Sequence, residues 1–152
     1  MKQKRTAEDY LKTIHILSRH GEVRGTHIAD VLGVSRATVS LTLKALEQEG
    51  YLLRMADHTV RLTDAGREIA EATYARNRFF RAMLASLGVD EKTSAHDACE
   101  LEHAVSPESF AALFDIFFEE RGRAERVHQR ASDIERFISN TEVRLKKKQA
   151  LL

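Results

Sequence analysis

A mainly α chain interrupted once by a short β hairpin is what this sequence predicts. Across its 152 residues proline occurs once and glycine seven times, charged residues make up 31%, and apolar residues recur mostly at spacings of three and four. The pattern changes over residues 51–63, YLLRMADHTVRLT, where β-branched and apolar residues form two short runs around Ala56-Asp57-His58, as a hairpin requires. Ahead of it, two short amphipathic segments meet at Gly33-Val34-Ser35, the arrangement of a helix-turn-helix. Together these predict a winged helix-turn-helix domain over residues 1–63 and an all-helical domain over 64–152.

Each element has its own signal. Thr6 is expected to cap the first helix, with Leu11, Ile14, Ile16 and Leu17 on or near its buried side and His20-Gly21 as its end. Thr26 is expected to cap a short second helix closed by Gly33, and Ser35 a third closed by Gly50. Ala29, four residues before Gly33, is small enough to let these two helices cross closely. Thr63 or Asp64 opens a long helix to about Leu87, stopped by Gly88, and Asp90 opens another to about Ala104. Ser106-Pro107 reads as a cap followed by proline at the first helical position, starting a helix to about Glu120. A last charged helix is expected from about Arg123 to Lys148, where Lys146-Lys147-Lys148 suits a C-terminus.

Composition narrows the function. An apolar fraction of 43% can bury a core, which excludes global disorder. One cysteine excludes an intrachain disulfide framework. The basic start MKQKRTAEDY is followed by no apolar run, and no stretch reaches transmembrane length, so a soluble, cytoplasmic protein without a membrane partner is expected. There is no glycine-rich phosphate loop, nucleophile elbow or zinc-protease motif, so no enzymatic activity is expected.

In the third helix Val39, Leu43 and Leu46 share one face and should pack inward. Arg36, Ala37, Ser40, Leu41 and Lys44 then point outward, with Thr38 near the edge. The N-terminal part of such a helix enters the major groove of double-stranded DNA, which puts Ser35 to Thr38 nearest the bases. Arg36 suits a guanine edge or a phosphate, Ser40 and Lys44 the backbone, and Ala37 and Leu41 thymine methyls. Arg54, His58 and Arg61 on the hairpin would face phosphates. Two short amphipathic helices alone also fit an ordinary helical hairpin. The wing and the charge bias favour DNA: residues 1–63 carry ten Lys/Arg against seven Asp/Glu, whereas residues 64–152 carry fourteen against sixteen.

The densest set of ligand-type residues is HDACELEHAVSPES. Cys99, Glu102 and His103 stand at i, i+3 and i+4, on one helix face. A thiolate, a carboxylate and an imidazole suit a first-row transition metal better than calcium or magnesium. Each residue also has an ordinary reading: Cys99 as a small buried hydrophobe, Glu102 as a solvated charge, His103 as a cap or packing group. His96, two turns before His103, reads as a solvent histidine.

With these motifs in place, the chain resembles the diphtheria-toxin-repressor and manganese-transport-regulator family of metal-dependent repressors. TAEDYLKTIHIL, HIADVLGVSRATVSLTLKALEQEGYL, VRLTDAGREIA and ACELEHAVSPES carry the resemblance over roughly residues 6–118, and ACELEH is its most specific piece. The resemblance implies a winged helix-turn-helix followed by an all-helical dimerisation and metal-binding domain, a DNA operator and a homodimer. It also implies a divalent transition metal, ferrous iron first, with manganese or zinc as alternatives. Its metal ligands would be Asp9, Cys99, Glu102 and His103. Asp9 stands where members place Asp or Met, Cys99 where the iron branch places Cys and the manganese branch Glu, and Glu102 and His103 match both. Thr6-x-x-Asp9 also fits a capping box.

The chain departs from the pattern at Asn77, where the family often has histidine, at Lys12, where the manganese branch has a carboxylate, and at Arg81, where the iron branch has an acidic residue. A second metal position should therefore be disabled, with Arg81 placing a cation there, and one ion per subunit is expected. The family's small C-terminal β domain has no counterpart in these residues. Phe79, Phe80, Met83 and Leu84 offer more apolar surface than one helix face hides, so the helices between Asp64 and Ala104 are expected to form the dimer interface. A regulator that has lost metal, or that senses redox through Cys99, is the alternative.

Overall fold

Local periodicity carries through to the element order of the computed structural model, which describes residues 2–125 together with 128 and 129: α1 (Lys2–Ser18), α2 (Gly25–Leu32), α3 (Arg36–Gln48), β1 (Leu52–Arg54), β2 (Val60–Leu62), α4 (Asp64–Ser86) and α5 (Glu91–Ala104). These lie in one compact unit ending at Ser106; a second unit begins at Pro107 with α6, helical over 107–125.

Three predicted caps hold their helices. Ser35 accepts from the Thr38 N–H, Thr63 from the Gly66 N–H and Asp90 from the Thr93 N–H. Gly33 closes α2 in the left-handed conformation (φ 65°), its N–H donating to the carbonyl of Ala29, which is itself buried against the core. The hairpin pairs Leu52 with Leu62 and Arg54 with Val60, and His58 turns its tip at a φ of 66°. Leu11, Ile14, Ile28, Val39, Leu43 and Leu52 are all buried in one core, to which α4 adds Ala70. Each such side chain contributes about 1.5–3 kcal/mol by leaving water. Residues of α1 and α3 thus contribute to the same core. Gly66 seats the start of α4 against the hairpin: a Cβ there would lie 1.9 Å from the Tyr51 carbonyl oxygen.

Several boundaries differ from expectation. Thr6 does not cap α1, which starts at Lys2; nothing in KQKR breaks a helix, and these residues extend it by a turn. Asp9 is accordingly mid-helix and no part of a capping box. Thr26 lies inside the first turn of α2, because Arg24 is bridged to Thr59, is therefore extended, and becomes the N-cap without a side-chain bond. The break expected between Glu120 and Arg123 is absent: α6 runs through Gly122, and Arg123 pairs with Glu120 at 3.2 Å across it. A helical glycine costs about 1 kcal/mol, which continued hydrogen bonding outweighs. The remainder of the expected last helix, with Lys146-Lys147-Lys148, lies outside the described residues.

Phe79 and Phe80 are buried within the chain, so they do not present the surface expected of a subunit interface, whereas Met83 and Leu84 are only half-buried. Large apolar groups are instead exposed on α6, at Leu113, Phe114, Ile116 and Phe118. No helix among the described residues is long and apolar enough to cross a membrane.

Candidate metal centre and nucleic-acid interface

Helical spacing puts Glu8, Asp9 and Lys12 on the side of α1 that meets Cys99, Glu102 and His103 of α5. Asp9, Glu102 and His103 each offer a ligand atom, and these atoms all lie within 4.8 Å of one another. His103 is the pivot. Its Nδ1 lies 2.7 Å from Glu8 Oε2, and its Nε2 lies 3.0 Å from Asp9 Oδ1 and 3.1 Å from Glu102 Oε1. Glu8 thus orients the ring as a carboxylate behind a metal-ligating histidine does, leaving Nε2 for the cluster. Sequence reasoning missed Glu8; its position next to Asp9 was the available signal.

Glu102 is fully buried. A buried carboxylate requires compensation, and Lys12 supplies it: Nζ bonds Glu102 Oε1 and lies 3.7 Å from both Asp9 Oδ1 and Cys99 Sγ. Glu102 Oε2 has no hydrogen-bond partner. Burial opposes the Lys12 charge most strongly, yet the bond to Glu102 and the negative charges of Glu102, Cys99 and Asp9 outweigh it, so its pKa is raised above that of an ordinary lysine. Burial likewise pushes the Cys99 thiol up, against the opposing pull of Lys12. Cys99 is outside the close Asp9-Glu102-His103 group and reaches the cluster through the ammonium. Arg5 reinforces the same helix pair with a bidentate bond to Glu100 at 2.9 and 2.5 Å.

The placement of cations corrects the expectation. Arg81 pairs with Glu91 at the α4–α5 turn and is exposed. Lys12, read as part of a second position, lies inside the Asp9-Glu102-His103 cluster instead: it is three residues from Asp9, on the same face of α1, and long enough to reach α5. The donor set fits a divalent transition metal on one condition, that the ammonium withdraw. Asp9, Glu102 and His103 converge, Cys99 is adjacent, and Glu102 Oε2 is an unused buried acceptor.

On α3, Ser35, Arg36, Ala37, Thr38, Ser40, Leu41 and Lys44 are exposed while Val39, Leu43 and Leu46 face the core. Arg36, Ser40, Arg54 and His58 line one groove between α3 and the hairpin, joined by Arg24 and Met55, which sequence reasoning missed. The Arg24–Thr59 bridge explains how Arg24 arrives there. Leu41 lies on the other flank of α3, beside Lys4 and Glu8 of α1. Arg54 is held by Glu47, its Nε 2.8 Å from Oε2, and Arg61 is exposed on β2.

Comparison with known proteins gives two adjoining family matches. Residues 3–57 match the N-terminal DNA binding domain of the iron dependent repressor, and residues 63–119 its metal binding and dimerisation domain. The chain is 34% identical over 116 residues to the transcriptional regulator MntR of Escherichia coli, covering 76% of this chain and 74% of that protein. It is 32% identical over 115 residues to an uncharacterized HTH-type transcriptional regulator of Methanocaldococcus jannaschii, covering 74% of this chain and 91% of that one. Among solved structures, that of the manganese regulator SloR matches at a TM-score of 0.66 and 30% identity, over 73% of this chain and 53% of that one. The chain thus spans about half the length of that solved relative. It belongs to the family of iron-dependent repressors, DNA-binding transcriptional regulators that respond to divalent metal and are not enzymes.

Proposed function

We propose that this chain is a homodimeric repressor whose affinity for a double-stranded DNA operator rises when one divalent transition-metal ion per subunit is held by Asp9, Cys99, Glu102 and His103. The observation that carries this reading is the convergence of Asp9 with Glu102 and His103, because it joins α1, which shares a core with the recognition helix, to α5. The ion acts by favouring the arrangement of α1 and α5 that positions α3, as an allosteric ligand must. In a dimer that arrangement sets two α3 helices about one DNA turn apart, ~34 Å, or a multiple of it.

Ser35, Arg36, Ala37, Thr38, Ser40, Leu41 and Lys44 form the proposed DNA-facing surface of α3, with Arg54, His58 and Arg61 on the wing. Ferrous iron is the proposed ion. The Cys99 thiolate moves preference away from manganese, and zinc is the competitor on ligand affinity alone. SloR, named a manganese regulator, supports the class of ion rather than its identity. The exposed apolar side chains of α6 belong to the proposed subunit interface. Ion stoichiometry on reduced protein tests the site: one ion per subunit is expected, with loss of binding in His103→Ala, and two ions would contradict it.

A further inference from the structure

The proposed ligands already share a cation, the Lys12 ammonium. Lys12 Nζ bonds Glu102 and lies 3.7 Å from both Asp9 and Cys99, three of the four residues proposed to hold the ion. His103 Nε2 faces the same Asp9 and Glu102 oxygens, at 3.0 and 3.1 Å. Metal–oxygen bonds are about 2.0–2.2 Å long, so an ion accepting Asp9 Oδ1 and Glu102 Oε1 would meet the ammonium within the same few ångströms. Two unscreened cations at that separation repel strongly in a site from which water is largely excluded. Metal and ammonium therefore exclude one another.

We propose that Lys12 is the resident cation of this site: it bridges α1 to α5 when metal is absent, and a divalent ion enters only by expelling it. This rests on the metal site proposed above and adds its regulation. The competitor is tethered to the site, so dilution does not weaken it. Its four-carbon stem has rotatable bonds enough to carry the charge away, and the side chain of Asp9, one turn before it on α1, is already 29% exposed, marking an edge of the cluster open to solvent. Expulsion trades one α1–α5 bridge for another, so Lys12 sets the concentration at which metal takes over.

Two measurements test this with Zn2+ as the probe. The first is affinity by competition with a chromophoric chelator, for wild type and for Lys12→Met, which keeps the stem without the charge. At least a tenfold lower Kd is expected in the variant, with one ion per subunit in both. The second uses wild type alone, and so does not depend on the variant folding. Reductive methylation mapped by mass spectrometry should find Lys12 protected in chelator and modified with saturating Zn2+, while exposed Lys44 and Lys92 react equally in both. Equal or weaker Zn2+ binding by Lys12→Met, or a Lys12 that stays protected in Zn2+-loaded wild type, overturns the proposal and leaves the metal reading standing. Zn2+ binding by Lys12→Met alone supports Lys12 as the resident cation but overturns its expulsion by metal, and with it the metal reading for the natural chain. Binding by neither protein overturns both.

Discussion

The recognition surface and the α1–α5 cluster are built on opposite physical terms. On α3 the groups that would meet DNA are exposed, and the capped helix beneath them buries Val39, Leu43 and Leu46. In the cluster the reactive groups are themselves buried or half-buried, and they come from residues some ninety positions apart: Lys12 and Glu102 are separated by 90, Glu8 and His103 by 95. The first surface can change its chemistry without disturbing the fold. The second cannot, because each charge there is compensated by a specific partner.

The sharpest way to break the comparison is to remove the compensating charge. In chelator, Lys12→Met leaves Glu102 buried beside Asp9 without its cation. Removing one partner of a buried pair costs about 3 kcal/mol or more, which for a chain of this size lowers the melting temperature by roughly 6–12 °C. Calorimetry in chelator checks this, and an unchanged melting temperature would show that the ammonium is not structural. On the exposed surface the pattern should invert. Arg36→Ala should weaken DNA binding about tenfold if Arg36 reads a base, while shifting the melting temperature by no more than about 2 °C, as surface substitutions do. Anisotropy titrations beside a melting curve separate the two effects.

Smaller changes sharpen the contrast. If Lys44 touches only phosphate, Lys44→Ala should weaken binding to all sequences alike and lower the slope of log affinity against log salt by about 0.9. The smallest expected effect concerns the wing. Arg54 holds the Glu47 carboxyl below its usual range, first through its side-chain bond. The folded pKa is therefore lower than the unfolded one, so the pair's contribution is fully present above the ordinary glutamate pKa and fades as pH falls through the folded value. Glu47→Gln should slightly flatten the acid limb of the stability profile and leave neutral pH nearly unchanged, measured by denaturant titration from pH 3 to 7.

Much of this molecule was legible because its signals are local. The Ser35, Thr63 and Asp90 caps, the Gly33 turn, the inward face of α3 and the hairpin at Ala56-Asp57-His58 each follow from residues within one or two turns. Spacing alone put Cys99, Glu102 and His103 on one face, while Asp9 joined them through family likeness. The misses have a common cause in tertiary contact. Arg24 becomes the cap of α2 only because it bridges Thr59. Phe79 and Phe80 read as interface because a helix face seen alone does not reveal what covers it. Lys12 stands where the manganese branch has a carboxylate, and its identity alone shows a loss; only its reach across to α5 puts an ammonium among the candidate ligands.

The central claim is that an ion between α1 and α5 governs how α3 meets DNA. The most direct measurement is the affinity for a duplex selected by the protein from a random pool, in chelator and with Fe2+, Mn2+ or Zn2+, for wild type and His103→Ala. The account predicts that at least one ion tightens wild-type binding and that His103→Ala, which loses the pivot of the cluster, does not respond. Equal wild-type affinity with and without every ion, or an undiminished response in His103→Ala, would contradict it.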